Sequence, residues 1–125
     1  MPKLYWMTGY NIREAMAREY QRFLKSEAYR RMCVDLEKET GIKYLETYTS
    51  VIPSSGEQGD FDAYDLYEMP DHAALGKARN STAFAKLGEA SYKFVERRPF
   101  KSVILRTSSD SKVMWEPKPK KARPS

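Results

Sequence analysis

Four segments of this chain read as β-strands, and none of them has a clean polar face. They span residues 3–10, 42–52, 61–69 and 100–107. In the first, Leu4 and Trp6 alternate with Tyr5 and Met7. In the second, Tyr44, Tyr48 and Ile52 alternate with Leu45, Thr47 and Val51. In the third, Tyr64 points one way, Asp65 and Tyr67 the other. In the fourth, Phe100, Ser102 and Ile104 alternate with Lys101, Val103 and Leu105. An antiparallel sheet with one face in water shows apolar residues inward and polar residues outward. Strands that are apolar on both sides need cover on both sides.

Helical periodicity separates the strands in two places. Ile12, Met16, Tyr20, Phe23 and Leu24 form an apolar stripe, continued by Ala28, Met32, Cys33 and Leu36. The spacing predicts a helix from about Arg13 to Thr40. Asn11 followed by Glu14 has the spacing of a cap and its reciprocal partner. Ser26 marks a break or kink, and Gly41 stands where a left-handed C-terminal residue is wanted. A polar loop, residues 53–60, joins strands two and three as a hairpin. Pro70-Asp71 opens the second helical region, with Asp71 as the cap. Asn80-Ser81-Thr82 interrupts it, Phe84 to Val95 continues it, and Pro99 ends it. Residues 113–115 read as a short last strand or an arm.

The order is therefore β-α-β-β-α-β, two split halves back to back, the ferredoxin-like arrangement. It predicts an α+β fold: a four-stranded antiparallel sheet with two helices on one face. The face the helices leave bare calls for a second copy of the chain, and two-fold pairing is the commonest way to supply it.

At 125 residues one domain is expected, over residues 1–115. Residues 116–125 form a Pro/Lys-rich tail expected to be disordered. Of the net charge of +5, four units come from Lys118, Lys120, Lys121 and Arg123, so the body is near +1. The excess belongs to the tail and not to a basic face, which argues against nucleic-acid binding. No apolar run reaches the ~20 residues of a membrane helix, and the N-terminus has no signal-peptide pattern. Cys33 is the only cysteine, so a reduced, packed thiol in a cytoplasmic protein is expected.

The strand order, the stretch from Tyr64 to Leu75 and the broken helix from Arg79 to Phe84 resemble the dimeric α/β barrel superfamily. The antibiotic-biosynthesis-monooxygenase, EthD and NIPSNAP branches are the most similar. The resemblance covers residues 3 to 107 and implies a homodimer with a pocket between the sheet and its helices. The superfamily holds cofactor-independent oxygenases, polyketide cyclases, lactone isomerases, haem-binding enzymes and plain ligand binders. Its haem-binding branches use a histidine within a helix, a position His72 does not match.

Candidate chemistry rests on few residues. His72, the only histidine, falls in a first helical turn, where the helix dipole favours a neutral ring able to act as a base. The plainer reading is a surface residue at a helix start. Asp65 and Tyr67 share one side of strand three. An inward Asp in an apolar pocket has a raised pKa and moves protons, and a phenol holds a substrate oxygen. The plainer reading pairs Asp65 with a base and leaves the tyrosines as packing. Trp6, Tyr10, Tyr20, Tyr44 and Tyr48 belong to an aromatic-rich set that suits either the walls of a flat ligand's site or a core. Arg79 and Asn80, at the helix break, suit an anionic group or a solvated loop.

Two functions follow. One is an enzyme acting on an aromatic or polyketide-like molecule by proton transfer, isomerisation or metal-free oxygenation. His72, Asp65 and Tyr67 would do the chemistry; Trp6, Tyr48 and Arg79 would bind. No nucleotide fingerprint or metal cluster stands out, so neither cofactor nor metal is implied. The alternative is a non-catalytic ligand-binding or assembly module of the same fold. A nucleic-acid role through the tail is a weaker third.

Overall fold

The structure is a computed structural model that describes residues 3–51 and 61–107. The polar loop between strands two and three, the 113–115 segment and the basic tail lie outside the described residues. The elements are β1 (Leu4–Ile12), α1 (Ala17–Leu24), α2 (Glu27–Thr40), β2 (Lys43–Thr49), β3 (Ala63–Met69), α3 (Ala73–Arg79), α4 (Thr82–Ser91) and β4 (Val95–Arg106). The four strands form one antiparallel sheet in the order β2-β3-β1-β4. This is the ferredoxin-like topology that the element order predicts.

Each helical region is split, and a serine makes each split. Ser26 accepts from the Tyr29 N–H at 3.1 Å and donates to the Phe23 carbonyl at 2.6 Å, ending α1 and starting α2. Ser81 accepts from the Phe84 N–H at 3.0 Å and caps α4. Its hydroxyl also donates to Glu39 at the end of α2 (2.7 Å), and Glu39 takes the Ala83 N–H at 3.0 Å. These two hydrogen bonds hold the Glu39 carboxyl below the usual range. Gly41 closes α2 in the left-handed conformation, φ 83°. The Asp71 carboxylate accepts from the Ala74 N–H at 3.1 Å, the contact expected of a cap, with helical residues beginning at Ala73.

Two boundaries differ from the sequence expectation. Asn11 does not cap a helix: β1 runs on to Ile12, and the Asn11 side chain accepts from the Asp62 N–H at 3.1 Å. A turn over Arg13–Met16 then precedes α1, with Ala15 at φ 64°. Phe94 and Val95 are not helical. The chain turns after Ser91, and β4 starts at Val95, ahead of Pro99. Pro99 fits there because β4 is an edge strand, and its register against β1 shifts between Tyr10 and Ile12.

Direct cross-strand partners share a face. Leu4, Trp6, Thr8 and Tyr10 align with Met69, Tyr67, Asp65 and Ala63, and with Arg106, Ile104, Ser102 and Phe100. This side carries the helices. Tyr29 and Leu36 of α2, Ala74 and Ala78 of α3, and Ala83 and Leu87 of α4 pack against Tyr67, Met69 and Trp6. A second cluster joins Tyr20 of α1 to Tyr10, Ala63 and Val95 at the other end. The opposite face carries Tyr5, Met7, Tyr48, Tyr64, Leu66, Val103 and Leu105. Among the described residues no helix covers it, and Tyr48, Val103 and Leu105 are exposed.

Candidate functional site

A cleft of about 640 Å³ opens between the β1–β4 side of the sheet and helices α3 and α4. Trp6, Leu75, Phe84, Leu87 and Ile104 give it apolar walls, and Asp65 with Tyr10, Tyr20 and Tyr67 lies against it. Volumes of this size suit small organic ligands.

Asp65 is buried because it alternates inward on β3 between Ala63 and Tyr67. Its Oδ1 accepts from the Tyr10 hydroxyl at 2.6 Å and the Thr47 hydroxyl at 2.8 Å. The Tyr67 hydroxyl is 3.4 Å from Oδ2. Two further hydroxyls stand behind these: Tyr20 is 2.6 Å from Tyr10, and Tyr44 is 2.6 Å from Thr47. A hydroxyl has one proton to give. Tyr10 and Thr47 give theirs to Asp65, so Tyr20 donates to Tyr10 and Tyr44 to Thr47. Two relays thus converge on one carboxylate.

No cation pairs with Asp65 among the described residues. Burial raises its pKa, and this outweighs the opposite pull of the Tyr10, Thr47 and Tyr67 hydroxyls. The phenols of Tyr10, Tyr20, Tyr29 and Tyr67 are all pushed up, first by burial and then by nearby ionisable groups. Tyr44 rises to about 12, with burial the main cause. They remain hydrogen-bond donors at neutral pH. Burial also pushes the Cys33 thiol up to about 11, which leaves it a packing group and not a nucleophile.

The sequence-predicted residues divide. Asp65 and Tyr67 come together, and Trp6 and Arg79 line the same cleft. The Trp6 ring centroid is 5.3 Å from that of Tyr67 and 5.9 Å from that of Phe84. His72 is exposed at the start of α3 and does not line the cleft. Tyr48 lies on the opposite sheet face, aligned with Tyr64 and 53% exposed. Sequence reasoning gave no chemical part to Tyr10, Tyr20 and Thr47. Their one signal was a polar end on an inward position, which demands a partner when buried.

No family model and no curated protein matches the chain. Solved structures share its fold. A NIPSNAP family protein of unknown function from Agrobacterium tumefaciens superposes with a TM-score of 0.60 at 10% identity, over 90% of this chain and 95% of that one. A dimeric protein of unknown function and ferredoxin-like fold from Bacteroides fragilis gives 0.55 at 10% identity, over 83% and 95%. SnoaB, a cofactor-independent oxygenase from Streptomyces nogalater, gives 0.51 at 11% identity, over 84% and 92%. The chain is a ferredoxin-like α+β protein similar in structure to this group. Among the described residues no helix is long and apolar enough to cross a membrane, and no group of acidic, Cys and His side chains is placed to hold a metal ion.

Proposed function

We propose that the chain works as a homodimeric α/β barrel that binds an aromatic or polyketide-like molecule in the cleft and moves a proton there. The observation that carries this reading is Asp65: a buried carboxyl that among the described residues has hydroxyl partners and no cationic one, beside a cavity of ligand size. In its ionised form Asp65 takes a proton from an acidic C–H or enol of the ligand. The Tyr67 phenol donates to the oxygen on which negative charge develops. Returning the proton to another carbon is isomerisation. Combination of the carbanion with dioxygen gives a peroxide, which takes back the proton and loses water as its O–O bond breaks to leave a carbonyl; this is oxygenation without a cofactor, the activity named for SnoaB.

Asp65 and Tyr67 are the proposed working groups, with Trp6 and Arg79 as ligand contacts. His72 and Tyr48 have no part, because neither borders the cleft. A reducing, cytoplasmic setting accords with the unpaired Cys33.

The test is oxidation of anthrone to anthraquinone in air, followed by absorbance. Turnover that falls at least about 100-fold in Asp65→Asn, the scale of a lost general base, supports the reading. Turnover that is unchanged in that variant refutes the proton-transfer role.

A non-catalytic binding module is the second reading. It is favoured by the completeness of the network: among the described residues no buried side-chain polar atom lacks a partner. Saturable binding of anthrone without turnover would select it.

A further inference from the structure

The rim of the cleft carries cations where its walls are apolar. Arg79, at the end of α3, and Arg97, on β4, both line it. Neither pairs with a carboxylate among the described residues. Besides Asp65, the only acidic side chain lining the cleft among the described residues is Glu96.

Arg97 is held in a defined place. Its guanidinium carbon lies 4.2 Å from the centroid of the Tyr92 ring. Tyr92 is itself fixed at the end of α4: its N–H donates to the Gly88 carbonyl at 3.0 Å, and its own carbonyl accepts from Arg13 Nε at 3.0 Å. A guanidinium lying over a ring face still has N–H donors to offer at its edge. That planar fork matches a carboxylate in bidentate fashion.

We infer that the cleft takes a planar organic acid, with its carboxylate on Arg97 and its aromatic body against Trp6, Phe84 and Leu87. This rests on the cleft being a ligand site, as proposed above, and adds the charge and shape of the ligand. A neutral ligand of the same shape leaves the Arg97 fork unused. An amine meets two guanidinium groups on its way in. Arg79 adds positive potential elsewhere on the rim, and its removal should matter less than that of Arg97.

The experiment compares 2-naphthoate with 2-naphthamide, which match in shape and differ in charge. Full-length protein carrying Trp115→Phe leaves Trp6 as the one indole. Calorimetry gives the affinities, and the Trp6 indole N–H resonance reports occupancy of the cleft. The acid should bind at least about tenfold tighter than the amide, the gain expected from charge-assisted hydrogen bonds. Arg97→Ala should abolish that preference, and Arg97→Lys should restore only part of it. Thermal unfolding of both variants checks that the fold is kept. If acid and amide bind alike, or Arg97→Ala keeps the preference, the inference is wrong. If the amide still moves the Trp6 resonance in that case, the binding cleft survives. If neither compound moves it, the cleft reading falls as well.

Discussion

Asp65 concentrates what single residues contribute here. Its folded-state pKa is raised, so the ionised form is the costly one in the native protein. Below about pH 4, the ordinary carboxylate value, both folded and unfolded chains hold the proton and there is no cost. As pH rises from there, the unfolded chain ionises first, and stability falls until Asp65 ionises in the native state. Asp65→Asn removes this slope while keeping an acceptor for Tyr10 and Thr47. The urea midpoints of wild type and variant should diverge from about pH 4 upward, with the variant ahead at neutral pH. Parallel profiles would show that the carboxyl is not penalised by burial. The relay predicts an order among the tyrosines as well. Tyr10→Phe deletes two hydrogen bonds and strands the Tyr20 hydroxyl, whereas Tyr20→Phe deletes one. Tyr10→Phe should therefore cost about 2 kcal/mol and Tyr20→Phe about half of that, read from equilibrium unfolding. Alternation along β3 made the shared face of Asp65 and Tyr67 legible in the sequence. The convergence of Tyr10 and Tyr20 was not legible, because Tyr20 reaches the sheet from α1 and only tertiary packing sets that distance. His72 shows the converse: its side-chain chemistry suggested a role that its exposed position does not support.

At the scale of elements, local signals worked where local contacts decide. Ser26, Ser81, Asp71 and Gly41 all mark boundaries through hydrogen bonds or φ values within a few residues, and each was readable as such. The two boundaries that misled are set across the sheet. Asn11 with Glu14 imitates a cap, yet the Asn11 side chain is taken by Asp62 on the approach to β3. Phe94-Val95 continues a helical spacing, yet Val95 aligns with Ile12 of β1. The break between α3 and α4 matters most for function, since both helices wall the cleft. Ser81 caps α4 and ties it to Glu39 of α2. Ser81→Ala should destabilise the protein by about 1 kcal/mol, the usual worth of a lost N-cap. Naphthoate affinity should fall with it, because α4 carries Phe84 and Leu87. A variant that loses stability but binds as wild type does would show that the cap holds the helix without shaping the cleft. Glu39 acts with the opposite pH sign to Asp65. Its lowered pKa gives stability that is present above the ordinary glutamate value, about 4.3, and lost as pH falls below it.

At the scale of the whole molecule the sheet is covered unevenly. Helices cover one side of the sheet, and the described residues place none on the other, where Met7 aligns with Leu66 and Val103, and Tyr5 with Leu105. That row crosses three strands, and Val103 is 49% and Leu105 38% exposed in the single chain. Contiguous apolar surface of this kind on a monomer marks an interaction site. A second sheet packed face to face, about 10 Å away, would fit its shape, and the proposed homodimer would supply one by symmetry. The structural neighbour described as dimeric has the same fold. The cleft lies on the helix side, so pairing through the bare face leaves both clefts open. Wild-type protein should sediment at twice the 14.5 kDa chain mass. Leu105→Glu, on the same bare face and outside the cleft lining, should weaken association about 100-fold or more, because each dimer would then bury two carboxylates without partners. In the single chain that side chain reaches water, so the variant should stay folded with its far-ultraviolet circular dichroism unchanged. It should also keep naphthoate binding, since the cleft is built within one chain. A wild-type chain that stays monomeric at high concentration would mean that this face is not a self-association surface. Dissociation that also abolished binding would mean that the cleft needs the pairing to hold its shape.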